Sequence, residues 1–308
     1  MAHDPIRGDP GASPEPLRGR FPGPAGTTLV ADVHGPDDGP AVLLLHGGGQ
    51  TRHAWGATAS RLGEAGWRAV ALDLPGHGES GWPDDGDYSP PAMARTVAEV
   101  VRALGRPIAV IGASLGGMSA MGAIGLPDAP AIDVLVLVDV APRIEAEGVR
   151  RIVDFMTAHP QGFASLEEAA QHIAAYKGAP ASASEAGLRR NLRLNAAGRW
   201  IWHWDPRLMH ERSHAQRRDP RLYEPAMRAW DRPTLLVRGG RSDVVSPEGA
   251  RALLEVVPHA RYVDLADAGH MVAGDANDAF TETVAAFLQE TLPPRTSAFP
   301  HRPGVSAR

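Results

Sequence analysis

Cysteine is absent from the 308 residues. Its absence removes disulfides, thiolate metal sites and a cysteine nucleophile together, and a reducing cytoplasm is the expected compartment. No stretch approaches the roughly 20 consecutive apolar residues that a membrane span requires. The opening segment Met1–Pro16 is rich in Asp, Pro and Gly without an apolar core, so no secretory signal is expected there. Long basic runs and basic–aromatic interleaving are also missing. With a net charge of −5 and 22% charged residues, nothing points to a nucleic-acid partner. What remains is a chain with 43% hydrophobic residues, long enough to bury a sizeable core.

The apolar residues fall into a rhythm. Ala41–Leu45 is a short continuous apolar run, as a strand buried on both faces requires, and Arg68–Leu72, Ile108–Ile111, Val134–Val138, Thr234–Val237 and Arg261–Leu265 read as further strands. Thr28–His34 is a further early strand. Helical patterns over His53–Ala65, Pro91–Leu104, a segment from Leu115, Pro247–Val257 and Ala276–Thr291 alternate with them. Such alternation predicts a mostly parallel sheet with helices on both faces. The rhythm stops over residues 141–232, which read as helical without a convincing strand. That length is too great for a loop, so a helical cap inserted into the sheet's connectivity is expected. Residues 1–26 and 293–308, dominated by Pro and Gly, read as flexible tails. The α/β core is then 27–140 with 233–292.

In an open α/β sheet, ligands bind beyond the carboxyl ends of the strands, and the chemically suggestive residues cluster there. Gly112-Ala-Ser114-Leu-Gly116 follows the Ile108 strand and precedes a helix. This G-x-S-x-G elbow lifts a serine hydroxyl above the sheet edge, and its glycines remove side chains that would collide in the turn. Ser114 is the candidate nucleophile. The Leu115 N–H, at the start of the helix, faces developing negative charge. His46-Gly-Gly-Gly-Gln50 follows the Ala41 strand, and the Gly48 N–H is the second expected oxyanion donor, with His46 shaping the turn.

His270, in Asp267-Ala-Gly-His-Met271 after the last strand, is the candidate base. Asp243, after the Thr234 strand, is the favoured orienting acid, because Ser114, Asp243 and His270 then follow in the chain order nucleophile, acid, base. Asp139, which ends the Val134 strand, competes for that role, and Asp267 lies too close in sequence to His270 to fold back onto it. Asp73-Leu-Pro-Gly-His77-Gly-Glu-Ser80 reads as a tight structural loop.

His210-Glu-Arg-Ser-His214 matches a zinc-protease pattern. It lies in the insertion between Pro206 and Pro220, without an evident third ligand, and reads as a solvated helix face; no metal is expected. Trp200, Trp202, Trp204, Phe155 and Met271 are candidates to line a substrate pocket.

Together, His46-Gly-Gly, Asp73-x-x-Gly-x-Gly-x-Ser80, Gly-Ala-Ser114-Leu-Gly-Gly117, Gly-x-x-Ser-Asp243 and Gly269-His270 resemble the α/β-hydrolase superfamily, in its capped esterase, epoxide-hydrolase and dehalogenase-like branch. The resemblance spans roughly residues 27–292. It implies an eight-stranded, mostly parallel sheet with the helical cap between strands 6 and 7. Epoxide hydrolases and haloalkane dehalogenases of that branch use an Asp nucleophile, whereas position 114 is Ser, which excludes their chemistry. The expected activity is cofactor-free hydrolysis of a small-molecule carboxylic ester or lactone through an acyl-enzyme on Ser114. Carbon–carbon bond hydrolysis, perhydrolysis and ligand binding on a hydrolase scaffold are the alternatives that the same residues permit.

Overall fold

The computed structural model describes residues 16–105, 107–178, 184–210, 216–272 and 277–294. Its centre is an eight-stranded sheet. In chain order these strands are β1 (Leu17–Pro22), β2 (Thr28–His34), β3 (Ala41–Leu45), β4 (Arg68–Leu72), β5 (Ile108–Ala113), β6 (Val134–Val138), β9 (Thr234–Gly239) and β10 (Arg261–Leu265). Their spatial order is β1-β2-β4-β3-β5-β6-β9-β10. The pairs β1–β2 and β2–β4 are antiparallel, and the remaining five pairs are parallel.

Because side chains alternate along a strand, each central strand feeds two cores. Leu43, Leu45, Val110, Leu135 and Leu137 point to one face, against α2 (Pro90–Leu104), α3 (Leu115–Ile124) and α8 (Pro247–Val256). Val42, Leu44, Ile111, Val136 and Val237 point to the other. There they meet α1 (Gly56–Glu64) and α9 (Asn277–Thr291) through Leu62, Phe280, Val284 and Phe287. Burial on both sides explains why these strands read as continuous apolar runs. α2 shows its boundaries in sequence: Pro90 opens it, and Gly105, at φ 57°, closes it in a left-handed cap.

Two expectations need correction. Within the anticipated tail 1–26, Leu17–Pro22 is an edge strand paired with β2 from Leu17↔Val33 to Pro22↔Thr28. Its residues are mostly exposed, so a backbone ladder holds it and no apolar alternation marks it. Residues 1–15 and 295–308 lie outside the described residues.

The insertion also contains strands. It holds α4 (Ala146–Thr157), α5 (Leu166–Lys177), α6 (Glu185–Asn191) and α7 (Glu224–Ala229), but also a hairpin of β7 (Leu192–Leu194) and β8 (Trp200–Trp202). The hairpin turn rests on Asn195, whose side chain accepts the N–H groups of Ala197 and Arg199, and on Gly198 at φ 72°.

Candidate active site

β5 delivers Ser114 into a turn that few non-glycine residues adopt, with φ 45° and ψ −111°. Among the described residues only three non-glycines have positive φ, and two of them, Ser114 and Asp139, end adjacent strands here. Such backbone strain clusters where geometry serves function. The surrounding glycines are sterically required. A Cβ on Gly112 would meet the Gly117 backbone, one on Gly116 the Leu45 carbonyl, and one on Gly117 the Val140 side chain.

His270 is held by a carboxylate, and that carboxylate is Asp139. The His270 Nδ1 to Asp139 Oδ2 distance is 2.6 Å, and Asp139 is fully buried. Asp139 Oδ1 also accepts the Gly239 N–H at 3.0 Å, and Oδ2 accepts the Ser242 hydroxyl at 2.5 Å. With Nδ1–H committed to Asp139, Nε2 of a neutral His270 is left as an acceptor.

The expected acid, Asp243, does not make this contact. Its Oδ2 pairs with Arg151 Nη1 on α4 at 2.7 Å, with both side chains partly exposed. The loop after β9 turns Ser242 toward the buried carboxylate and Asp243 toward α4 of the insertion. Asp139 instead follows β6 directly and, at φ 48°, reaches His270. Asp267 is exposed.

The glycine loop after β3 is held donor by donor. The Gly47 N–H donates to Gln50 Oε1 (2.9 Å) and the Gly49 N–H to His77 Nε2 (3.1 Å). Among the described residues the Gly48 N–H between them has no acceptor. Neither has the Leu115 N–H, which as the first residue of α3 lacks an intrahelical partner.

Ser114, His270, Gly48 and Leu115 line one cavity of about 380 Å³. Of the five pocket candidates, Trp202, Trp204, Phe155 and Met271 line it as well. Trp202 and Trp204 stack at 4.6 Å. Trp200 does not reach the cavity; Arg189 lies 4.8 Å over its ring.

The comparisons with known proteins agree with this fold. The family model described as "Alpha/beta hydrolase family" matches residues 42–283. The chain belongs to the alpha/beta hydrolase family. Across 269 residues this hydrolase is 32% identical to esterase Rv0045c of Mycobacterium tuberculosis, covering 81% of this chain and 83% of the esterase. A crystal structure of that esterase superposes with a TM-score of 0.67, covering 90% of this chain and 92% of the other at 31% identity. Human protein phosphatase methylesterase 1 is 36% identical over 137 residues, 43% of this chain and 36% of that protein. E-2-(acetamidomethylene)succinate hydrolase shares the fold, with a TM-score of 0.76 at 24% identity over 89% of this chain and 99% of that one.

Three buried histidines brace the hydrolase's glycine loop; sequence reasoning gave His46 a part in shaping that turn but assigned none to His77 or His203. His46 Nε2 accepts the Leu74 N–H (3.0 Å), while Nδ1 donates to the Gly47 carbonyl (2.8 Å). His77 Nδ1 donates to the Pro75 carbonyl, which leaves Nε2 free to accept from Gly49. His203, from the insertion, accepts the Gly78 N–H at 2.7 Å and donates to the Gly49 carbonyl at 3.2 Å. Gly49 is therefore gripped at both its N–H and its C=O. Burial drives all three pKa values down, His203 to about 4, and the His46–His77–His203 proximity adds to this for His77. The rings stay neutral, as their acceptor roles demand. Nothing in sequence marks His203, 125 residues from Gly78.

The Asp73 loop is the hydrogen-bonded structure expected of it. Its carboxylate accepts the N–H groups of Arg52 and Glu79 and pairs with the Arg52 guanidinium. Of the zinc-like motif, Glu211–His214 lie outside the described residues. No helix among the described residues is long and apolar enough to cross a membrane.

Proposed function

We propose that this hydrolase cleaves a small carboxylic ester, with lactones as cyclic members of the same class, through an acyl-enzyme on Ser114. The observation that carries the reading is a histidine, oriented by a buried carboxylate, lining the same cavity as a strained serine. The Ser114 oxygen attacks the carbonyl carbon and its proton passes to His270 Nε2, while Asp139 stabilises the imidazolium through Nδ1–H. The oxyanion is held by the N–H groups of Gly48 and Leu115, which have no other acceptor among the described residues, in a low-dielectric cavity where such donors act strongly. The tetrahedral intermediate collapses, and the alkoxide leaves with the proton from His270. Water then repeats the sequence on the acyl-enzyme, its proton going to His270 and on to Ser114 as the acid departs. Each step needs only these groups. The esterase relative, matched over four-fifths of both chains, supports an ester as substrate.

Turnover of a p-nitrophenyl ester series, acetate through dodecanoate, by wild type and Ser114→Ala tests the reading. Labelling with a fluorophosphonate followed by peptide mass analysis locates the nucleophile. Wild-type turnover with a dead variant and label on Ser114 is the expected result. Equal rates, or label elsewhere, would overturn it.

A further inference from the structure

The cavity at Ser114 contains an arginine that the ester reaction above does not use. Arg217 is 6% exposed and lines the cavity, as does the exposed Arg218 beside it. No Asp or Glu is among the described residues that line it.

A guanidinium has five N–H donors. Two donors of Arg217 go to backbone carbonyls: Nη2 to Tyr88 at 2.7 Å and Nη1 to Leu208 at a long 3.4 Å. Nε is buried with no acceptor. Among the described residues no carboxylate pairs with Arg217. The nearby acids are committed elsewhere, Asp205 to Arg207 and the Tyr88 hydroxyl, and Asp219 to Arg221. Arg218 makes no ion pair among the described residues either. Burial pushes the Arg217 pKa down to about 10, opposed only by Tyr223, and its charge acts on His77 in the braced glycine loop.

Bridging two carbonyls does not require a charge. A buried cation without a counterion is costly, and an anionic group on a substrate in this cavity would offset that cost. The fork geometry suits a planar carboxylate, which it can engage in a bidentate manner. The remaining lining is mostly aliphatic and aromatic and offers too little to solvate a phosphate dianion.

We propose that Arg217, assisted by Arg218, binds a free carboxylate on the substrate, so that this hydrolase acts on esters carrying a second, ionised carboxyl group on an otherwise apolar body. This rests on the ester reading above and narrows it. Arg217 is then a specificity-determining residue.

Matched esters test it on either side of the scissile bond. On the acyl side, 4-nitrophenyl pentanoate is compared with 4-nitrophenyl hydrogen glutarate, in which a carboxylate replaces the terminal methyl. On the alcohol side, 4-methylphenyl acetate is compared with 4-acetoxybenzoate. The readout is the anionic-to-neutral ratio of kcat/KM in wild type, Arg217→Met and Arg218→Met, so that intrinsic reactivity cancels between proteins. Removal of a charge-assisted contact is expected to lower that ratio by about 10- to 100-fold for Arg217→Met in at least one pair, and by less for Arg218→Met.

Ratios within about threefold of wild type in both pairs for both variants would overturn the proposal while leaving the esterase reading intact. If no ester turns over and Ser114 is not labelled, the esterase reading itself fails. Calorimetric titration with glutarate and 4-hydroxybenzoate then reads the anion site without turnover. Weaker binding of either acid to Arg217→Met supports the site; equal binding or none refutes it. Arg218, being exposed, keeps the test informative if Arg217→Met does not fold.

Discussion

Asp139→Asn, set against Asp243→Asn, separates the two carboxylates that compete for His270. Asp139 accepts from three donors, His270 Nδ1, the Gly239 N–H and the Ser242 hydroxyl. Asparagine is nearly isosteric and tolerates positive φ better than most residues, so the backbone at φ 48° gains little strain. Its Oδ1 can keep Gly239, but its amide NH₂ then faces Ser242 and His270. Donating to Nδ1, that NH₂ fixes the tautomer with the proton on Nε2, where a base must be empty. The expected loss is about 10⁴-fold in kcat, or roughly 5 kcal/mol of transition-state stabilisation. Asp243→Asn removes only an ion pair whose partners are 36% and 59% exposed. Such pairs are worth about 0–1 kcal/mol, so a change of less than about fivefold is expected. Steady-state hydrolysis of p-nitrophenyl butyrate by both variants, with melting curves to establish folding, decides the matter. A crippled Asp243→Asn beside an active Asp139→Asn would refute the assignment.

The buried histidines set an acid limit. Folded-state pKa values lie below the unfolded value of about 6.5 for His46, His77 and His203. The unfolded chain therefore binds more protons as pH falls below 6.5, and stability drops from there toward pH 4. His203 alone, with a folded pKa of about 4, contributes a loss of about 3 kcal/mol; urea unfolding that is flat between about pH 7 and 4.5 would contradict this. His203→Ala frees the Gly49 carbonyl and strands the Gly78 N–H. It is expected to lower kcat by about 10- to 100-fold, less than outright loss of an oxyanion donor. Unchanged kcat in a folded variant counts against the brace. Gly116→Ala drives a Cβ into the Leu45 carbonyl, backbone that cannot yield, at a cost of about 3 kcal/mol. A melting point within about 3 °C of wild type would show that the elbow tolerates it.

The sheet was legible because its central strands, such as Val134–Val138, are buried on both faces and leave unbroken apolar runs. Ser114, His270 and the glycine loop were legible because strand ends and glycine spacing mark them locally. Asp139 and Asp243 both follow strands, and chain order cannot choose between them, since Asp139 also lies between Ser114 and His270. The choice depends on which way a loop turns its side chains. β1 was invisible because an edge strand held by its ladder needs no pattern. His77, His203 and Arg217 act through contacts between residues far apart in the chain, and the roles of His203 and Arg217 exist only once the insertion is in place.

His203 belongs to a short stretch that is bolted to the core at several points. Asp205 N–H reaches the Gly76 carbonyl, the Tyr88 hydroxyl reaches Asp205, and Arg207 spans to the carbonyls of Pro83 and Asp84. A cap is often treated as an interchangeable module, to be exchanged for a new specificity on an unchanged catalytic base. Here such an exchange would remove a brace of the glycine loop beside Ser114 along with the old pocket. A transplanted insertion would have to bring an equivalent of residues 203–207, so the pocket wall and the brace of the glycine loop change together.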